Sequence, residues 1–293
     1  MKLVIGSRGS KLALVQTNLI ADAIKKANPQ VEMEIKIIKT KGDIILDQPL
    51  NVIGDKGLFV KEIEEALLCH EIDLAVHSLK DMPAQLPAGL IMAVTPKRED
   101  PRDVLVTFHG EKSLKELPPN AKIATGSLRR GIQIKRLLDK AEIKEIRGNV
   151  ETRINKSRNN GYDGVILAAA GLNRLSLSYD GVVLSTEEML PAPAQGILGL
   201  ETRCGDEAVI GLLKPLHHEE SHRQALAERA FLRYIEGGCH APMGVCCKID
   251  GNTFTLRGFF QTETDYLEET VYGEVGTEAV KGKELALVLR GRM

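Results

Sequence analysis

The sequence has no tryptophan, and its aromatic share is only 4%. That leaves little surface on which bases could stack. Charge of either sign is also missing in excess: 39 Lys and Arg stand against 40 Asp and Glu, a formal charge of -1. This argues against a dedicated nucleic-acid or membrane-surface binder. No apolar run approaches the roughly 20 residues needed to cross a bilayer. The opening stretch Met1-Lys2-Leu3-Val4-Ile5-Gly6 is too short for a signal peptide and reads as a first strand. These absences predict a soluble, cytoplasmic protein with neither a nucleic-acid nor a membrane partner.

Cysteine is scarce and irregular. Cys69, Cys204, Cys239, Cys246 and Cys247 form an odd set without CxxC spacing, which fits neither a disulfide scaffold nor a zinc site. Cys69 falls in a helical pattern, Cys246 and Cys247 in an apolar strand, and all three read as buried structural thiols. Cys239 differs because it follows Glu236-Gly237-Gly238. Glycines permit close approach of another group. This thiol is either an ordinary small residue after a helix cap or a point of covalent attachment. Walker and GxGxxG sequences are absent as well.

What is present is a 293-residue chain with 43% hydrophobic content, enough for two or three domains with real cores. Leu12, Val15, Leu19, Ala23 and Ile24 mark one face of a long helix. Val31, Met33, Ile35 and Ile37 alternate with polar residues as a strand, completing a βαβ unit. Thr40 to Gly57 is polar and glycine-punctuated and reads as a lid; Leu58 to His70 is helical. The apolar run Ile72 to Val76 then predicts a strand deep in a parallel sheet. It breaks into His77-Ser78-Leu79-Lys80-Asp81 and stops at Pro83. In open α/β sheets ligands gather beyond the carboxyl ends of strands, so this turn either serves a ligand or is a solvated surface.

Pro96 to Asp103 marks a domain crossing, and Leu190-Pro191-Ala192-Pro193-Ala194-Gln195-Gly196 the return. Ile197 to Glu201 would be a further strand, placed back in the first sheet. The fold class expected is α/β: two βα lobes with a cleft between them, plus a small α+β C-terminal domain. Residues 1–97 with 196–215 form the first lobe, 98–195 the second and 216–293 the third domain.

The second lobe is organised around arginine. Arg129 and Arg130 follow Thr125-Gly126-Ser127 at a strand-to-helix turn, where free N–H groups and the helix dipole favour anions. Arg147 ends the next strand, Arg153 lies in the first turns of the following helix, and Arg174 follows a third strand. Arg136 and Arg158 read as solvated. Guanidinium forks at one sheet edge describe a polyanion site, for carboxylate or phosphate alike. Arg8, beyond the first strand of lobe one, would face them.

The chain resembles the porphobilinogen deaminase (hydroxymethylbilane synthase) family over nearly its whole length. The resemblance rests on Gly6-Ser7-Arg8, Thr40-Lys41-Gly42-Asp43, Lys56-Gly57-Leu58-Phe59, Ala75-Val76-His77-Ser78-Leu79-Lys80-Asp81-Met82-Pro83 and Arg98-Glu99-Asp100-Pro101-Arg102-Asp103. It continues in Ser127-Leu128-Arg129-Arg130, Arg147-Gly148-Asn149-Val150, Ile166 to Leu172, and Glu228-Arg229-Ala230 with Glu236-Gly237-Gly238-Cys239. It implies lobes like those of type II periplasmic binding proteins. It also implies a transferase of tetrapyrrole (porphyrin and haem) biosynthesis that condenses four porphobilinogen head to tail into hydroxymethylbilane, releasing ammonia.

Under the same resemblance Asp81 is the catalytic carboxylate, and Cys239 holds a dipyrromethane cofactor as a thioether. Ser78, Lys80, Thr125, Ser127, Arg129, Arg130 and Arg153 would bind that cofactor. Arg8, Ser10, Lys56, Phe59, Arg147, Asn149, Arg153, Arg174 and Gln195 would bind substrate. The protein would act as a monomer and pass its product to uroporphyrinogen-III synthase. Gly126 and Pro193-Ala194 depart from the family pattern, the latter stiffening a crossing that is otherwise richer in glycine. The rival is a two-lobed anion-binding or sensor protein without catalysis, which would need neither the Lys80-Asp81 pair nor the Glu-Gly-Gly-Cys turn.

Overall fold

The structure is a computed structural model and describes residues 1–44, 60–235 and 242–292. The chain opens with β1 (Lys2–Ser7) and α1 (Lys11–Ala27). The Ser10 hydroxyl caps α1, accepting from the Ala13 N–H at 3.3 Å. β2 (Glu32–Ile37) returns parallel to β1, as a βαβ unit demands. The face that α1 buries is rotated from the expected one. Gln16, Thr17, Ile20, Ala21 and Ile24 are inside, while Leu19 is 49% exposed. The reason is that α1 also meets the second lobe, where Leu12 packs against that lobe's core.

After α2 (Lys41–Ile44) and α3 (Lys61–Leu68) comes β3 (Leu74–Ser78), followed at once by a one-turn 3-10 helix, Leu79–Asp81, and later β4 (Leu90–Val94). The chain then leaves for β5 (Asp103–Thr107), β6 (Lys122–Ala124), α4 (Leu128–Leu137), β7 (Glu142–Lys144), α5 (Val150–Asn159), β8 (Gly164–Ala168), α6 (Ala169–Arg174) and β9 (Gly181–Leu184). It returns with β10 (Leu198–Arg203) and α7 (Glu207–Leu213). α8 (Glu219–Tyr234), β11 (Met243–Asp250), β12 (Thr253–Gln261), β13 (Tyr266–Glu274) and α9 (Glu278–Arg290) build the third unit.

The two larger sheets share one plan. The first runs β2-β1-β3-β10-β4 and the second β7-β6-β8-β5-β9. In each, the fourth position holds an antiparallel strand that arrives straight from a crossing: β10 against β3 and β4, β5 against β8 and β9. An antiparallel strand enters at the edge where its parallel neighbours end, so Asp103 pairs with Ala168 and Leu198 with Ser78. Both crossings are thereby delivered to the ligand-binding edges of their sheets. The third sheet is an antiparallel meander covered by α8 and α9, with Phe231, Val245, Leu256, Leu285 and Leu289 in its core.

Glu228, on α8, ties the crossings to this third unit. It is fully buried, and accepts from Arg98 Nη1 at 2.8 Å and Nη2 at 3.1 Å, from the Ala194 N–H at 2.7 Å and from the Cys247 N–H at 2.9 Å. The two crossings also touch directly, Glu99 N–H donating to the Gly196 carbonyl at 3.1 Å. Gly196 has φ +88°, and a Cβ there would lie 2.4 Å from the Glu99 carbonyl oxygen, so no other residue fits without moving the crossings apart. Ala194 also sits at positive φ, +60°. A side chain pays for this conformation, and the methyl is compensated by complete burial beside Leu79, Met82 and Ala225.

Cysteine placement corrects one expectation. Cys246 and Cys247 are buried and burial pushes both thiols up, that of Cys246 to about 12, but Cys69 is exposed. It lies just past the last turn of α3, at the C-cap, rather than on the helix's buried stripe.

Candidate active site

The turn after β3 is anchored by its apolar residues. Leu79 and Met82 are 1% and 0% exposed, and between them Asp81 is turned out to solvent and Lys80 is half-buried. Lys80 Nζ donates to Gln195 Oε1 at 3.3 Å. Burial pushes its ammonium down to about 8; the Asp81 carboxylate works against this and Arg130 adds to it. The Ser78 hydroxyl, at the end of β3, meets the side-chain amide of Gln16 at 3.0 Å.

Across from this turn, β6 ends at Ala124 and is followed by Thr125 and Ser127. Thr125 Oγ1 accepts from the Ser127 N–H at 3.1 Å, and Ser127 caps α4 by accepting from the Arg130 N–H at 3.4 Å. Gly126 has a packing reason: a Cβ would come within 2.8 Å of the Ile146 carbonyl oxygen. Arg129 and Arg130 point inward, to Asp103. Arg129 Nη1 lies 2.7 Å from Asp103 Oδ2, while Arg130 reaches Oδ1 with Nε at 3.1 Å and Nη2 at 2.7 Å. The two guanidiniums hold the Asp103 carboxyl well below the usual carboxylate range despite its burial. Each also serves a carbonyl, Arg129 that of Leu190 and Arg130 that of Ile166.

Gln195 joins the two halves. It is 0% exposed, with Nε2 donating to the Pro101 carbonyl at 2.8 Å and to Asp103 Oδ1 at 3.0 Å, and Oε1 accepting from Lys80. Expected at the substrate, it is buried beside Lys80 at the edge where the return crossing enters.

Arg153 is placed differently from Arg129 and Arg130. Asn149 caps α5 by accepting from the Thr152 N–H at 2.8 Å, which sets Arg153 in the first turn. Its Nε is buried and has no partner. Burial pushes its guanidinium down to about 10; Arg130 adds to this, and Asp81 opposes it from across the cleft. Arg174 Nη2 donates to the Gly196 carbonyl at 2.7 Å, tying α6 to the return crossing, and burial lowers its guanidinium to about 10 against the pull of Glu99. Arg147 lies in the loop beyond β7, which ends at Lys144 rather than at the arginine; its Nε is 3.9 Å from Glu145. Arg8 is half-buried after β1, on the same edge of its sheet as Ser78. Outside the site core the lobes are bridged by Lys11 and Glu151 at 2.8 Å.

Lys56, Phe59 and Cys239 lie outside the described residues, as does the expected lid from residue 45 onward. Asp103 and Glu228 were missed as functional residues. The signal for Asp103 was a carboxylate heading the apolar run Val104-Leu105-Val106, where an unpaired charge could not stay. The assembled edge can hold a polycarboxylate against cations and present one exposed carboxylate, Asp81, to a developing positive charge. A buried guanidinium nitrogen left without a partner, Arg153 Nε, is what a site awaiting carboxylate oxygens should contain, so the residues fit a propionate- and acetate-bearing pyrrole.

The family model described as "Porphobilinogen deaminase, dipyromethane cofactor binding domain" matches residues 3–211, and that for the porphobilinogen deaminase C-terminal domain matches residues 222–291. The porphobilinogen deaminase of Clostridium novyi is 48% identical over 295 residues, covering 99% of this chain and 98% of that protein. That of Clostridioides difficile is 45% identical over 295 residues, with the same coverage of 99% and 98%. That of Syntrophus aciditrophicus is 46% identical over 285 residues, covering 96% and 93%.

Proposed function

The chain belongs to the porphobilinogen deaminase family, and from that premise we propose that Asp81 is the carboxylate at which its reaction is carried out. The reaction is the stepwise head-to-tail condensation of four porphobilinogen into hydroxymethylbilane with loss of ammonia, a group transfer of tetrapyrrole biosynthesis. When bound, a dipyrromethane would prime the chain, supplying the pyrrole to which the first unit is joined, with each later unit added to the ring before it; its thioether anchor is assigned to Cys239.

As ammonia leaves porphobilinogen, positive charge develops on the pyrrole, and the exposed Asp81 carboxylate stabilises it. In its acid form the same group can hand a proton to the departing amine. Arg153, with its unpartnered Nε opposite Asp81, is the main carboxylate receptor. Arg8, Arg147 and Arg174 extend the cationic surface as the product gains carboxylates, with Ser10 and Asn149 beside them; Lys56 and Phe59 are assigned to substrate by the family resemblance alone. Lys80, Ser78, Thr125 and Ser127 hold the cofactor's carboxylates, and Arg129 and Arg130 contribute through the field they share with Asp103. Gln195 acts through Lys80 rather than by touching substrate.

The protein is assigned as a cytoplasmic monomer of the hydroxymethylbilane synthase type that releases its product to uroporphyrinogen-III synthase. In support, the site is assembled within one chain, and among the described residues no helix is long and apolar enough to cross a membrane. The observation that carries the reading is an exposed Asp81 facing an uncommitted Arg153 across two lobes.

The test is turnover of porphobilinogen, followed by a coloured oxidised product and by intact mass. Asp81→Asn should lower kcat by about 100- to 1000-fold, the range typical for removing an electrostatic stabiliser, while peptide mass mapping still finds a two-pyrrole adduct on Cys239. Near-wild-type turnover in that variant would remove Asp81 from the chemistry.

A further inference from the structure

We propose that Arg229, on α8 of the third unit, is a positioning residue for Asp81. The turn that carries Asp81 is followed by an irregular stretch, Met82 to Gly89, that belongs to no sheet. Its backbone carbonyls therefore need donors from elsewhere. Arg229 Nη2 supplies one, donating to the Pro83 carbonyl at 2.7 Å and more weakly to that of Ala84 at 3.4 Å.

The same helix face supports the turn from behind. Ala225 lies four residues before Arg229 and so on the same stripe of α8, and it belongs to the same buried cluster as Leu79 and Met82, the apolar residues on either side of Lys80 and Asp81. Ala84 in turn packs on the core of the third unit. The stretch after the turn is thus gripped at consecutive points, Met82, Pro83 and Ala84, by one face of one helix. Next to Arg229 in sequence is Glu228, which holds both crossings. Successive residues are turned about 100° apart on a helix, so a single dipeptide fixes the hinge with one side chain and the catalytic turn with the other. The third unit is then part of the catalytic machinery, beyond any role in carrying a cofactor.

This inference rests on Asp81 being the reacting carboxylate, and a double-mutant cycle separates the two ideas. Arg229→Met should lower kcat by about 10- to 100-fold, since a misplacement near 1 Å can cost this much. The KM for porphobilinogen should stay within about threefold, because Arg153, the main carboxylate receptor, lies in the other lobe. Intact mass should still show the two-pyrrole adduct. Arg229→Lys, which keeps a donor to Pro83, should recover most of the rate. In an Asp81→Asn background Arg229→Met should cause no further loss, because its effect passes through that carboxylate.

An equal loss in both backgrounds would overturn the proposal, as would a loss explained by a missing adduct. So would an adduct-bearing Arg229→Met protein with kcat within about twofold of wild type. Should Arg229→Met not fold, Arg229→Gln carries the same comparison: lowered kcat at unchanged Tm supports positioning, and wild-type kcat overturns it. An Asp81→Asn protein that turns over normally would instead sink the underlying reading.

Discussion

Two buried charge clusters, one in each lobe, sit directly behind the site, and they are finished to different degrees. In lobe two, Asp103 is surrounded by Arg129, Arg130 and Gln195, and both of its oxygens are bonded. In lobe one, behind the strand that leads to Asp81, Glu201 is fully buried with Oε2 on His77 Nε2 at 3.1 Å and Oε1 without a partner. Glu64, on α3, is 7% exposed and also leaves an oxygen unpaired. Burial, then Glu201 and Glu65, pushes the Glu64 carboxyl up to about 7. The lobe-two cluster is a charged scaffold that costs nothing further near neutral pH. The lobe-one cluster holds a proton that the medium can take away. Arginine shows the same contrast at closer range: Arg130 is committed to the scaffold, and Arg153 is left open for a ligand.

Breaking the finished cluster should have the largest effect. Arg130→Met leaves Asp103 buried with half of its charge compensation gone, and should cost about 3–5 kcal/mol, measured by urea unfolding at pH 7. A cost below about 1 kcal/mol would mean the cluster is not the scaffold described.

The unfinished cluster should reveal itself through pH. The folded pKa of Glu64, about 7, lies above the ordinary value of 4.5, so the folded state keeps a proton that the unfolded chain has released. Its contribution is therefore most favourable below 4.5 and is lost as pH rises to about 7. Glu64→Gln should match wild type near pH 4.5 and exceed it by up to about 3 kcal/mol above pH 7, read from unfolding midpoints across a pH series. A pH-independent difference would contradict the raised Glu64 carboxyl. The smallest stability effect should come from Arg153→Leu, within about 0.5 kcal/mol of wild type or slightly stabilising, because no described bond to its Nε is lost. The same variant should lose binding of porphobilinogen, measured by KM, so that stability and function separate at this arginine as they do not at Arg130.

Much of the fold was legible because apolar runs and turn residues reported it directly. Ile197 to Glu201 was placed back in the first sheet, where β10 lies. β9 and α7 were not anticipated: Gly181–Leu184 has a half-exposed pattern, and Glu207–Leu213 is under two turns long. At the site, Lys80, Asp81, Arg129 and Arg130 were readable as residues that follow strand ends, whereas Arg147 lies beyond the end of β7. What stayed hidden was how each polar group is used. A hydroxyl or amide at a strand end serves a ligand or a helix cap by the same chemistry, and Ser10, Ser127 and Asn149 are all caps here. Arg129 and Arg130 were legible as cations but not as partners of Asp103, since that pairing depends on an antiparallel strand brought in from the crossing. Gln195 was hidden for the same reason.

The shared sheet plan has a consequence for how the protein comes to exist on a ribosome. Lobe two receives its antiparallel strand first, and its whole sheet runs without interruption from β5 to β9. Lobe one receives β10 last, and until then β3 and β4 have no partner between them. Non-local pairing of this kind is slow and leaves strand edges exposed in the meantime. Synthesis thus completes lobe two's arginine wall before the strand that leads to Asp81 can be locked into its sheet, and α8, which grips the turn, emerges later still. During that interval the facing edges of β3 and β4 are open to pairing with another chain.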